Sequence, residues 1–323
     1  MRTIGIEYPE ANRIQFKDIG APPEPGPAEI LIRTEYSGVT NGTERHALVG
    51  EHFWKGVFPS AHGYQHVGIV EQAGAEAAGF SVGDRVFFGH YVGHRAWNVV
   101  HVGTAKEPNY KDHLCCKIPA TVSARDCALF GVAGVALRGI RRMRVGVGDR
   151  VWIVGQGLIG QFAAQCARAA GAHVVASDIN AKRLALTAAH SAHVALNAGD
   201  ADFFARIKAE GPFTHIIDTS GVPSLFADLF EHKLVSHRTV IGLLAVRMET
   251  VFNWGLLHIP EASIEVSCHF SVDELRVLMQ LLEQGQIRVA PLITHEVSID
   301  AALPVYELLR DAPGEPLGIV FAW

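Results

Sequence analysis

The sequence predicts an α/β protein with a doubly wound parallel sheet and a second, irregular β-rich domain. Three observations support this prediction. An apolar, β-branched run over Val151–Val154 is followed by the glycine-rich turn Gly155–Gly160 and then by apolar residues at helical spacing. Helix and strand patterns alternate from there to about residue 268, as they do in parallel sheets. The first 122 or so residues instead show short strands separated by turns.

The glycine-rich turn has the spacing Gly-x-Gly-x-x-Gly, formed by Gly155, Gly157 and Gly160. In such a turn the first glycine allows a tight bend, the second lets a pyrophosphate approach the backbone, and the third lets helix and strand pack closely. A second buried strand, His173–Ser177, ends on Asp178, 18 residues after Gly160. A carboxylate at about this distance accepts both hydroxyls of a ribose. The pattern therefore predicts a dinucleotide site.

The predicted cofactor is NAD rather than NADP, because Asp178 would repel a 2′-phosphate. Lys182 and Arg183 lie close enough in the sequence to soften that preference. Two later strand ends should meet the nicotinamide half of the cofactor through backbone groups, with ordinary strand termination as the alternative interpretation. The predicted cofactor contacts are Gly155, Gln156, Gly157, Leu158, Ile159, Gly160, Asp178, Arg183, Thr219, Gly242 and Leu243.

Length, charge and cysteine content limit the possible classes of function. A chain of 323 residues suits two domains of roughly 150 residues each. The net charge of −5 and the lack of a basic run argue against nucleic acid or an anionic membrane, so a small-molecule substrate is expected. No apolar window reaches the ~18 residues of a membrane span, and the charged start lacks the core of a signal peptide, which predicts a cytoplasmic protein. The five cysteines show no regular spacing and should be free thiols.

The predicted elements divide the chain into a β-rich segment (1–124), a nucleotide-binding segment (125–268) and a return segment (269–323). One helix is predicted over Ser123–Met143, opened by a capping box of Ser123 and Asp126. A second capping box, Ser271 and Glu274, should start the helix Val272–Glu283. The return segment is too small to fold alone and should rejoin the first. The helices predicted between Asp178 and residue 268 are Ala181–His190, Phe203–Ala209 and Leu225–Leu234.

With these elements in place, the chain resembles the medium-chain dehydrogenase/reductase superfamily over essentially its whole length. The motifs that support the resemblance are Ser37–Val39, His66–Val70 before Gly83–Val86, the turn Gly155–Gly160, and Pro291–His295. The resemblance implies a GroES-like fold for the β-rich domain and an NAD(P)-dependent oxidoreductase with a substrate bound between the two domains. It also implies a homodimer that pairs through the strand edge Ser263–Ser267.

The classical members of this superfamily bind a catalytic zinc ion, and the sequence departs from them at each ligand position that the resemblance implies. Thr40 or Asn41 replaces a cysteine, Tyr64 replaces a histidine, and Gly131 replaces the third ligand. None of these residues holds zinc tightly. The four-cysteine structural lobe is also missing, because residues 89–96 contain no cysteine. The sequence therefore predicts no zinc.

Histidine pairs offer an alternative metal site that the sequence leaves open. His62 lies four residues before His66, and His90 lies four residues before His94. With 17 histidines in the chain, some close pairs are expected by chance. Surface or hydrogen-bonded roles are therefore the simpler interpretation of these four residues.

Without zinc, the substrate oxygen that gains charge during hydride transfer needs other donors. Tyr64 is the first candidate, since the resemblance puts it at a ligand position. Thr43 and Glu44 resemble a hydroxyl–acid pair that relays a proton, and His46 could pass that proton to solvent. Thr40 and Asn41 are neighbouring donors. The alternative interpretations are aromatic packing for Tyr64, turn formation for the polar residues and a surface position for His46.

The predicted function is a zinc-independent, NAD(P)-dependent interconversion of a secondary alcohol and a ketone. The fragment Ser37–Arg45 with Gly63 and Tyr64 is most similar to the bacteriochlorophyllide a dehydrogenase branch, which oxidises a hydroxyethyl group on a tetrapyrrole. A bulky substrate of that type is one candidate, although Gln65 stands where that branch would have an acid. Two alternatives remain open: a zinc-free quinone or enoyl reductase of the same superfamily, and a non-catalytic sensor that binds the cofactor.

Overall fold

The structure, a computed structural model, describes residues 2–77, 79–102 and 114–323. The chain divides into two compact units. Unit 1 comprises Met1–Gly131, Phe270–Glu283 and Val289–Trp323, and unit 2 comprises Val132–His269 and Gln284–Arg288. Across the described ranges, no helix combines the length and the apolar character that crossing a membrane requires.

Unit 1 is built mainly from antiparallel strands, which form a two-stranded hairpin and a seven-stranded sheet. Alternating burial along these strands places apolar side chains such as Ile30, Ile32 and Val70 in a core. The elements from the first part of the chain are β1 (Ile4–Glu10), β2 (Arg13–Asp18), β3 (Glu29–Gly38), α1 (Asn41–Val49), β4 (His66–Ala73), β5 (Arg85–Phe88), β6 (Trp97–His101), β7 (Cys115–Lys117), α2 (Ala124–Cys127) and α3 (Phe130–Arg142).

The single helix predicted over Ser123–Met143 is wrong, because the segment forms two helices, α2 and α3. Ser123 does cap α2, since its hydroxyl accepts a hydrogen bond from the backbone N–H of Asp126 at 3.3 Å. After α2 the backbone bonds shorten to three-residue steps, from Ala128 N to Arg125 O and from Leu129 N to Asp126 O. Gly38, at the end of β3, packs so closely on the Ala128 carbonyl that a Cβ there would overlap it. This contact between distant parts of the chain accompanies the break between the helices.

Unit 2 contains a six-stranded sheet in which every neighbouring pair is parallel. The strand order is β10-β9-β8-β11-β12-β13, the doubly wound order in which two halves meet at the first strand. The predicted fold class is confirmed. The elements of unit 2 are β8 (Arg150–Val154), α4 (Leu158–Ala169), β9 (His173–Asp178), α5 (Ala181–Leu186), β10 (Val194–Asn197), α6 (Phe203–Ala209), β11 (His215–Asp218), α7 (Leu225–Glu231), β12 (Val240–Leu243), α8 (Gly255–His258) and β13 (Ser263–Val266).

The helix predicted over Ala181–His190 is also shorter than expected. It ends as an α-helix at Leu186 and continues as a π-helical turn over Thr187–Ser191. The hydroxyl of Thr187 is buried and donates to the Arg183 carbonyl at 2.8 Å, a local bond that competes with the regular helical ladder. The turn therefore begins at the residue whose side chain bonds back to the helix.

The last part of the chain completes the sheet of unit 1. It adds α9 (Val272–Glu283), β14 (Ile293–Ser298), α10 (Ala302–Asp311) and β15 (Gly318–Ala322). The predicted capping box at the start of α9 is present, because Ser271 N and Oγ both lie within 2.9 Å of Glu274 Oε2. Strand β15 pairs antiparallel with the end of β3, with Phe321 opposite Ser37. The two ends of unit 1 thereby share one core, which includes Leu48, Tyr306 and Phe321.

Candidate functional site

The glycine turn, residues Gly155–Gly160, joins β8 to α4 in unit 2. Gly155 has φ +89°, which favours glycine, and a Cβ there would lie 2.8 Å from Ser220 Cβ. A Cβ at Gly160 would overlap the Gly155 carbonyl. A Cβ at Gly157 would meet nothing within 4 Å. Two glycines are thus required by the turn itself, whereas Gly157 leaves the backbone at the N-terminus of α4 open to a phosphate group.

Asp178 fixes the shape of this turn. Its carboxylate accepts the backbone N–H of Gln156 at 2.5 Å and that of Asn180 at 2.8 Å. Asn180 in turn caps α5 by accepting the backbone N–H of Lys182 and of Arg183, so Arg183 lies in the first turn of that helix. An ionised carboxylate offers about four lone pairs, so Asp178 can accept further hydrogen bonds. These contacts fit a cofactor whose ribose hydroxyls lie beside the glycine turn.

A buried polar network that the sequence analysis did not predict lies behind the turn. The Gln156 side chain is fully buried and donates to the Gly155 carbonyl at 2.7 Å. Gln161 on α4 donates to the hydroxyl of Thr187 at 2.9 Å, and that hydroxyl lies 3.2 Å from Gln156 Oε1. Polar side chains on the apolar helix α4 were the one available signal. Leu158 is buried and Ile159 is half-buried in the first turn of the same helix.

The predicted contacts at later strand ends lie at the end of β11, which pairs with β8, and on β12, which pairs with β11. Thr219 follows β11 and donates its hydroxyl to the carbonyl of Gly155 at 2.9 Å or of Val154 at 3.0 Å. On β12, Gly242 pairs with Ile217, and a Cβ there would overlap the Met143 thioether. Leu243 is half-buried at the end of β12. The structure therefore brings Thr219 to the glycine turn at the carboxyl edge of the parallel sheet, where ligands of doubly wound folds bind.

Asp218, at the end of β11, is a buried carboxylate beside this edge. It accepts the backbone N–H groups of Ser220 at 2.9 Å and Gly221 at 3.1 Å, and it forms an ion pair with Arg247. Burial lowers the pKa of Arg247 from its usual value. These bonds fix the loop after β11. The local sequence does not indicate this role of Asp218, because Arg247 lies 29 residues further along the chain.

In unit 1, the predicted acid Glu44 is enclosed rather than facing solvent. We call its surroundings the Glu44 cluster, formed by Tyr8, Glu44, His94 and Tyr306. The Glu44 carboxylate accepts the Tyr306 hydroxyl at 2.5 Å and lies 3.0 Å from His94 Nε2, and it also accepts the Thr40 backbone N–H at 2.7 Å. Burial alone would raise the pKa of Glu44. The charge of His94 and these hydrogen bonds lower the pKa by more than burial raises it, so it lies below the usual 4.5.

Among the residues that the structure describes, the side chains that bond to Glu44 do not include Thr43, the residue that the sequence analysis paired with it. Neighbouring residues on a helix do not face each other, and Thr43 is half-buried on α1 whereas Glu44 is fully buried. The partners that enclose Glu44 are 50 and 262 residues away along the chain. Burial and the charge of Glu44 raise the pKa of Tyr306 well above its usual value, so its phenol stays neutral. The Glu44 cluster thus ties α1 to β-structure and to α10.

The three positions compared with zinc ligands do meet in unit 1, in what we call the Tyr64 cluster: Thr40, Tyr64, Gln65 and Gly131. Tyr64 is only 4% exposed, and its ring centroid lies 4.6 Å from that of Tyr91. Gln65 donates to the Thr40 hydroxyl at 3.1 Å. A Cβ at Gly131 would lie 2.9 Å from both Tyr64 Cε2 and Gln65 Oε1. Protein atoms occupy the space that a third ligand would need.

These residues do not fit a zinc ion. Gly131 supplies no ligand atom, and the phenol, hydroxyl and amide of its neighbours are poor substitutes for thiolate and imidazole. Asn41, the alternative to Thr40, donates its amide to the carbonyls of Pro316 at 3.2 Å and Leu317 at 2.8 Å. Its Oδ1 is buried without a partner in the part of the chain that the structure describes. Asn41 therefore anchors the segment before β15.

His46 lies near the end of α1, partly exposed, within a group of ionisable side chains. Its Nδ1 is 2.9 Å from Glu51 Oε2, and its ring centroid is 4.2 Å from that of His52. Arg45 Nη1 lies 3.6 Å from the same carboxylate oxygen. His46 is therefore partly exposed and has its own partners.

All five cysteines are free thiols. Cys115, Cys116, Cys127 and Cys166 are buried, and burial raises their pKa values, to about 12 for Cys116 and for Cys166. Cys268, two residues after β13, is exposed. The four buried thiols are thus protonated and unreactive near neutral pH.

Comparison with known proteins identifies the family of enzymes that the chain is similar to. A family model described as alcohol dehydrogenase GroES-like domain matches residues 26–198, and one described as zinc-binding dehydrogenase matches residues 159–284. The chain is 28% identical over 335 residues to the L-threonine 3-dehydrogenase of Aeromonas salmonicida (strain A449), covering 96% of each.

Solved structures share the fold over almost the entire chain. The 2R,3R-butanediol dehydrogenase of Bacillus subtilis superposes with a TM-score of 0.84 at 17% identity, covering 99% of each chain. The short chain alcohol dehydrogenase of Escherichia coli CFT073, complexed with NADH, also gives a TM-score of 0.84, at 19% identity and with 99% of each chain covered.

Proposed function

This chain belongs to the alcohol dehydrogenase-like medium-chain dehydrogenase/reductase superfamily, and we propose that it interconverts a secondary alcohol and a ketone with NAD and without zinc. The resemblance seen in the sequence is thereby confirmed at the level of the superfamily. The observation that supports zinc independence is the packing of the Tyr64 cluster. A zinc ligand at position 131 would overlap Tyr64 and Gln65, and none of the residues present is a thiolate or an available imidazole.

The glycine turn supports the cofactor assignment. Gly157 leaves room for a pyrophosphate at the N-terminus of α4, where backbone N–H groups and the helix dipole favour negative charge. Asp178 would accept the ribose hydroxyls and disfavour a 2′-phosphate, which makes NAD the preferred cofactor, while Arg183 nearby moderates that preference. When bound, the nicotinamide ring supplies or accepts the hydride.

In this proposal, Tyr64 stabilises the oxygen of the substrate. A hydrogen-bond donor acts most strongly where water is excluded, and the Tyr64 ring is almost fully buried. Its phenol donates a hydrogen bond as negative charge develops on that oxygen. Thr40 is the neighbouring donor, and Asn41 could donate only by giving up its hydrogen bond to the carbonyl of Pro316 or Leu317. Thr43 and the partly exposed His46 on α1 are proposed to move the proton to solvent, while Glu44 positions Thr40 through its backbone N–H.

The relatives agree on the class of alcohol. L-Threonine 3-dehydrogenase and 2R,3R-butanediol dehydrogenase are both named for substrates whose reacting hydroxyl is secondary. We therefore propose a secondary alcohol here as well. The fragment Ser37–Arg45 keeps a hydroxyethyl-bearing tetrapyrrole of the bacteriochlorophyllide type as one candidate. A panel of small secondary alcohols and one such tetrapyrrole would distinguish a compact substrate from a bulky one.

A homodimer is part of the proposal, and the free edge of the sheet in unit 2 supports it. Among the described strands β13 pairs with β12 alone, and Val266 on β13 is 61% exposed. Ile259 and Trp254, shortly before it, are 80% and 70% exposed. An exposed apolar strand edge favours pairing with another chain. Size-exclusion chromatography with light scattering should give twice the chain mass, and Val266→Lys should shift it towards the monomer.

Steady-state kinetics under chelation tests the proposal. The purified protein is treated with 1,10-phenanthroline, and NADH oxidation is followed with a panel of ketones and with quinones and enones. Undiminished ketone reduction after chelation is the expected result. Loss of ketone reduction that added zinc restores would overturn zinc independence. Turnover of enones alone would favour the reductase alternative, and NADH binding without any turnover would favour the sensor.

A further inference from the structure

Three side chains of the types that bind transition metals converge where α1 ends in unit 1. They are His46, Glu51 and His52, and one ligand atom from each lies within 4.8 Å of the others. His46 Nδ1 and Glu51 Oε2 are already 2.9 Å apart. A tetrahedral zinc ion with bonds of about 2.0–2.2 Å holds its ligand atoms about 3.3–3.6 Å apart, so the His46–Glu51 pair would separate slightly and any wider pair would close. Small side-chain rotations would suffice.

The backbone holds this arrangement in place. Gly50 ends α1 with φ +71° and donates to the Ala47 carbonyl at 3.2 Å, and Glu51 N donates to the His46 carbonyl at 2.8 Å. His52 then adopts φ +55°, a left-handed conformation that costs a residue with a side chain roughly 1–2 kcal/mol. This conformation accompanies a ring separation of 4.2 Å between His52 and His46. Unfavourable backbone geometry of this kind is often retained where a site needs it.

We propose that His46, Glu51 and His52 bind a divalent transition-metal ion, zinc or nickel, on the surface of unit 1. Two imidazoles and one carboxylate form a ligand set that zinc uses in proteins, with water completing the coordination. The carboxylate is half exposed and His46 about a third exposed, so the ion can enter directly from solvent. The site is separate from the Tyr64 cluster, whose residues do not fit a metal ion.

One neighbouring charge opposes the metal. Arg45 Nη1 lies 3.6 Å from Glu51 Oε2, the same oxygen that faces His46. A metal ion and the guanidinium would therefore compete for one carboxylate. Removal of the arginine charge should strengthen metal binding, whereas removal of a ligand should weaken it. These opposite signs distinguish a built site from nonspecific binding to surface histidines.

Isothermal titration of the metal-free full chain with zinc chloride, and separately with nickel chloride, tests the proposal. One ion per chain is expected for the wild type. Glu51→Gln and His52→Asn should each weaken binding by at least about tenfold, since even outer-shell changes cost 10–100-fold. Arg45→Gln should tighten binding. Glu10→Gln, which alters a comparable exposed carboxylate beside Arg13, is the matched control and should bind like the wild type.

The proposal is overturned if neither metal binds, or if Glu51→Gln and His52→Asn bind as tightly as Glu10→Gln. Circular dichroism of each variant checks that the fold is intact, which is expected because the exchanged groups are partly exposed. The result does not depend on turnover. It also identifies where any zinc found by metal analysis resides, because zinc that disappears in Glu51→Gln comes from this surface site.

Discussion

Gly157 in unit 2 and Gly131 in unit 1 both lack a side chain, but the space that a side chain would enter differs between them. A Cβ added to Gly157 meets nothing within 4 Å, whereas one added to Gly131 would lie 2.9 Å from the Tyr64 ring. Around Gly157 the neighbouring polar groups bond to one another, as Asp178 does with the Gln156 N–H. Around Gly131 the side chains of the Tyr64 cluster occupy the volume themselves.

The difference teaches how one fold can leave the space beside one glycine open and fill the space beside another. The shape of the glycine turn is fixed by bonds within unit 2, so its open backbone does not depend on a ligand for its conformation. In the Tyr64 cluster, side chains that pack and bond together fill the corresponding space. We expect substitutions in unit 1 to act on stability or turnover, and substitutions at the glycine turn to act on cofactor binding.

Glu44→Ala should have the largest effect, because it removes a fully buried side chain from the middle of the Glu44 cluster. Removal of Glu44 leaves the buried Tyr306 hydroxyl and the His94 ring without this partner, and each unsatisfied buried group costs about 1–3 kcal/mol. Urea unfolding should show this loss in the free energy of unfolding. Glu51→Ala removes the acid from the exposed pair with His46, which has nearly the same length, and should cost less than about 1 kcal/mol. Equal losses would contradict the comparison.

The lowered pKa of Glu44 also predicts that the free energy of unfolding depends on pH. The folded-state pKa of Glu44 lies below the usual 4.5, so its stabilising contribution is complete above pH 4.5 and is lost as the pH falls through the folded-state pKa. Unfolding measured from pH about 7 down to about 3 should therefore show a decline in the wild type. Glu44→Gln should reduce that decline. An identical acid profile in both proteins would remove Glu44 as its source.

Tyr64→Phe tests whether the Tyr64 cluster also acts in the reaction. Loss of one donor to a developing oxyanion typically reduces turnover by about 10²–10³, or about 3–4 kcal/mol. Stability and NADH affinity should be unchanged, because the ring is kept. Tyr91→Phe, on the adjacent and largely exposed ring, serves as the control. Wild-type turnover in Tyr64→Phe would limit Tyr64 to packing, and the donor would then be sought at Thr40, Asn41 or His66.

Asp178→Ala tests the carboxylate that bonds to the glycine turn. Hydrogen bonds to charged groups contribute about 1.5–3 kcal/mol, so NAD affinity should fall by about 10-fold to 100-fold. NADP affinity should fall less or rise, because the repulsion of its 2′-phosphate is removed. Calorimetric titration of both cofactors into wild type and variant measures the change in preference. Equal wild-type affinities for NAD and NADP would refute the role given to Asp178.

Gly157→Ala should have the smallest effect and the most selective one. Its φ of −65° suits alanine and its surroundings are open, so the melting temperature should not change. NADH affinity should fall by about tenfold, or 1.4 kcal/mol, because the methyl group separates the pyrophosphate from the backbone. Gly160→Ala provides the contrast: its methyl would overlap the Gly155 carbonyl and lower stability. A melting temperature lowered equally in both variants would contradict this distinction.

The sequence predicted the parts of this structure that depend on neighbouring residues. The unit of β8, glycine turn, α4 and β9 was predicted because burial, turn and helix signals lie within one short stretch. The helices Val272–Glu283 and Phe203–Ala209 have the predicted bounds. Their ends are marked locally, by a capping box and by turns. Short-range signals of this kind need no knowledge of the rest of the fold.

Most of the failures come from contacts between distant residues, and the exception is the helix predicted over Ala181–His190, whose end accompanies a local bond from Thr187 to Arg183. The helix predicted over Ser123–Met143 is divided where Gly38, some 90 residues earlier, packs on the Ala128 carbonyl. Nothing near Glu44 in the sequence indicates that Tyr306 encloses it. The resemblance brought Thr40, Tyr64 and Gly131 under consideration together, but the packing of the Tyr64 ring on Gly131 required the structure. The catalytic roles of Thr40 and Tyr64, and the cofactor-binding roles of the glycine turn and Asp178, stay predictions.

The distribution of cysteines gives this protein a natural reporter of its assembly. Four thiols are buried with raised pKa values, and Cys268 alone of the five is exposed, two residues beyond β13. A maleimide dye should therefore attach once per folded chain without any engineered cysteine. Because that thiol follows the free sheet edge, dyes on two chains joined along β13 would come close enough for energy transfer or self-quenching. Fluorescence during dilution would then follow the dissociation of the proposed dimer directly.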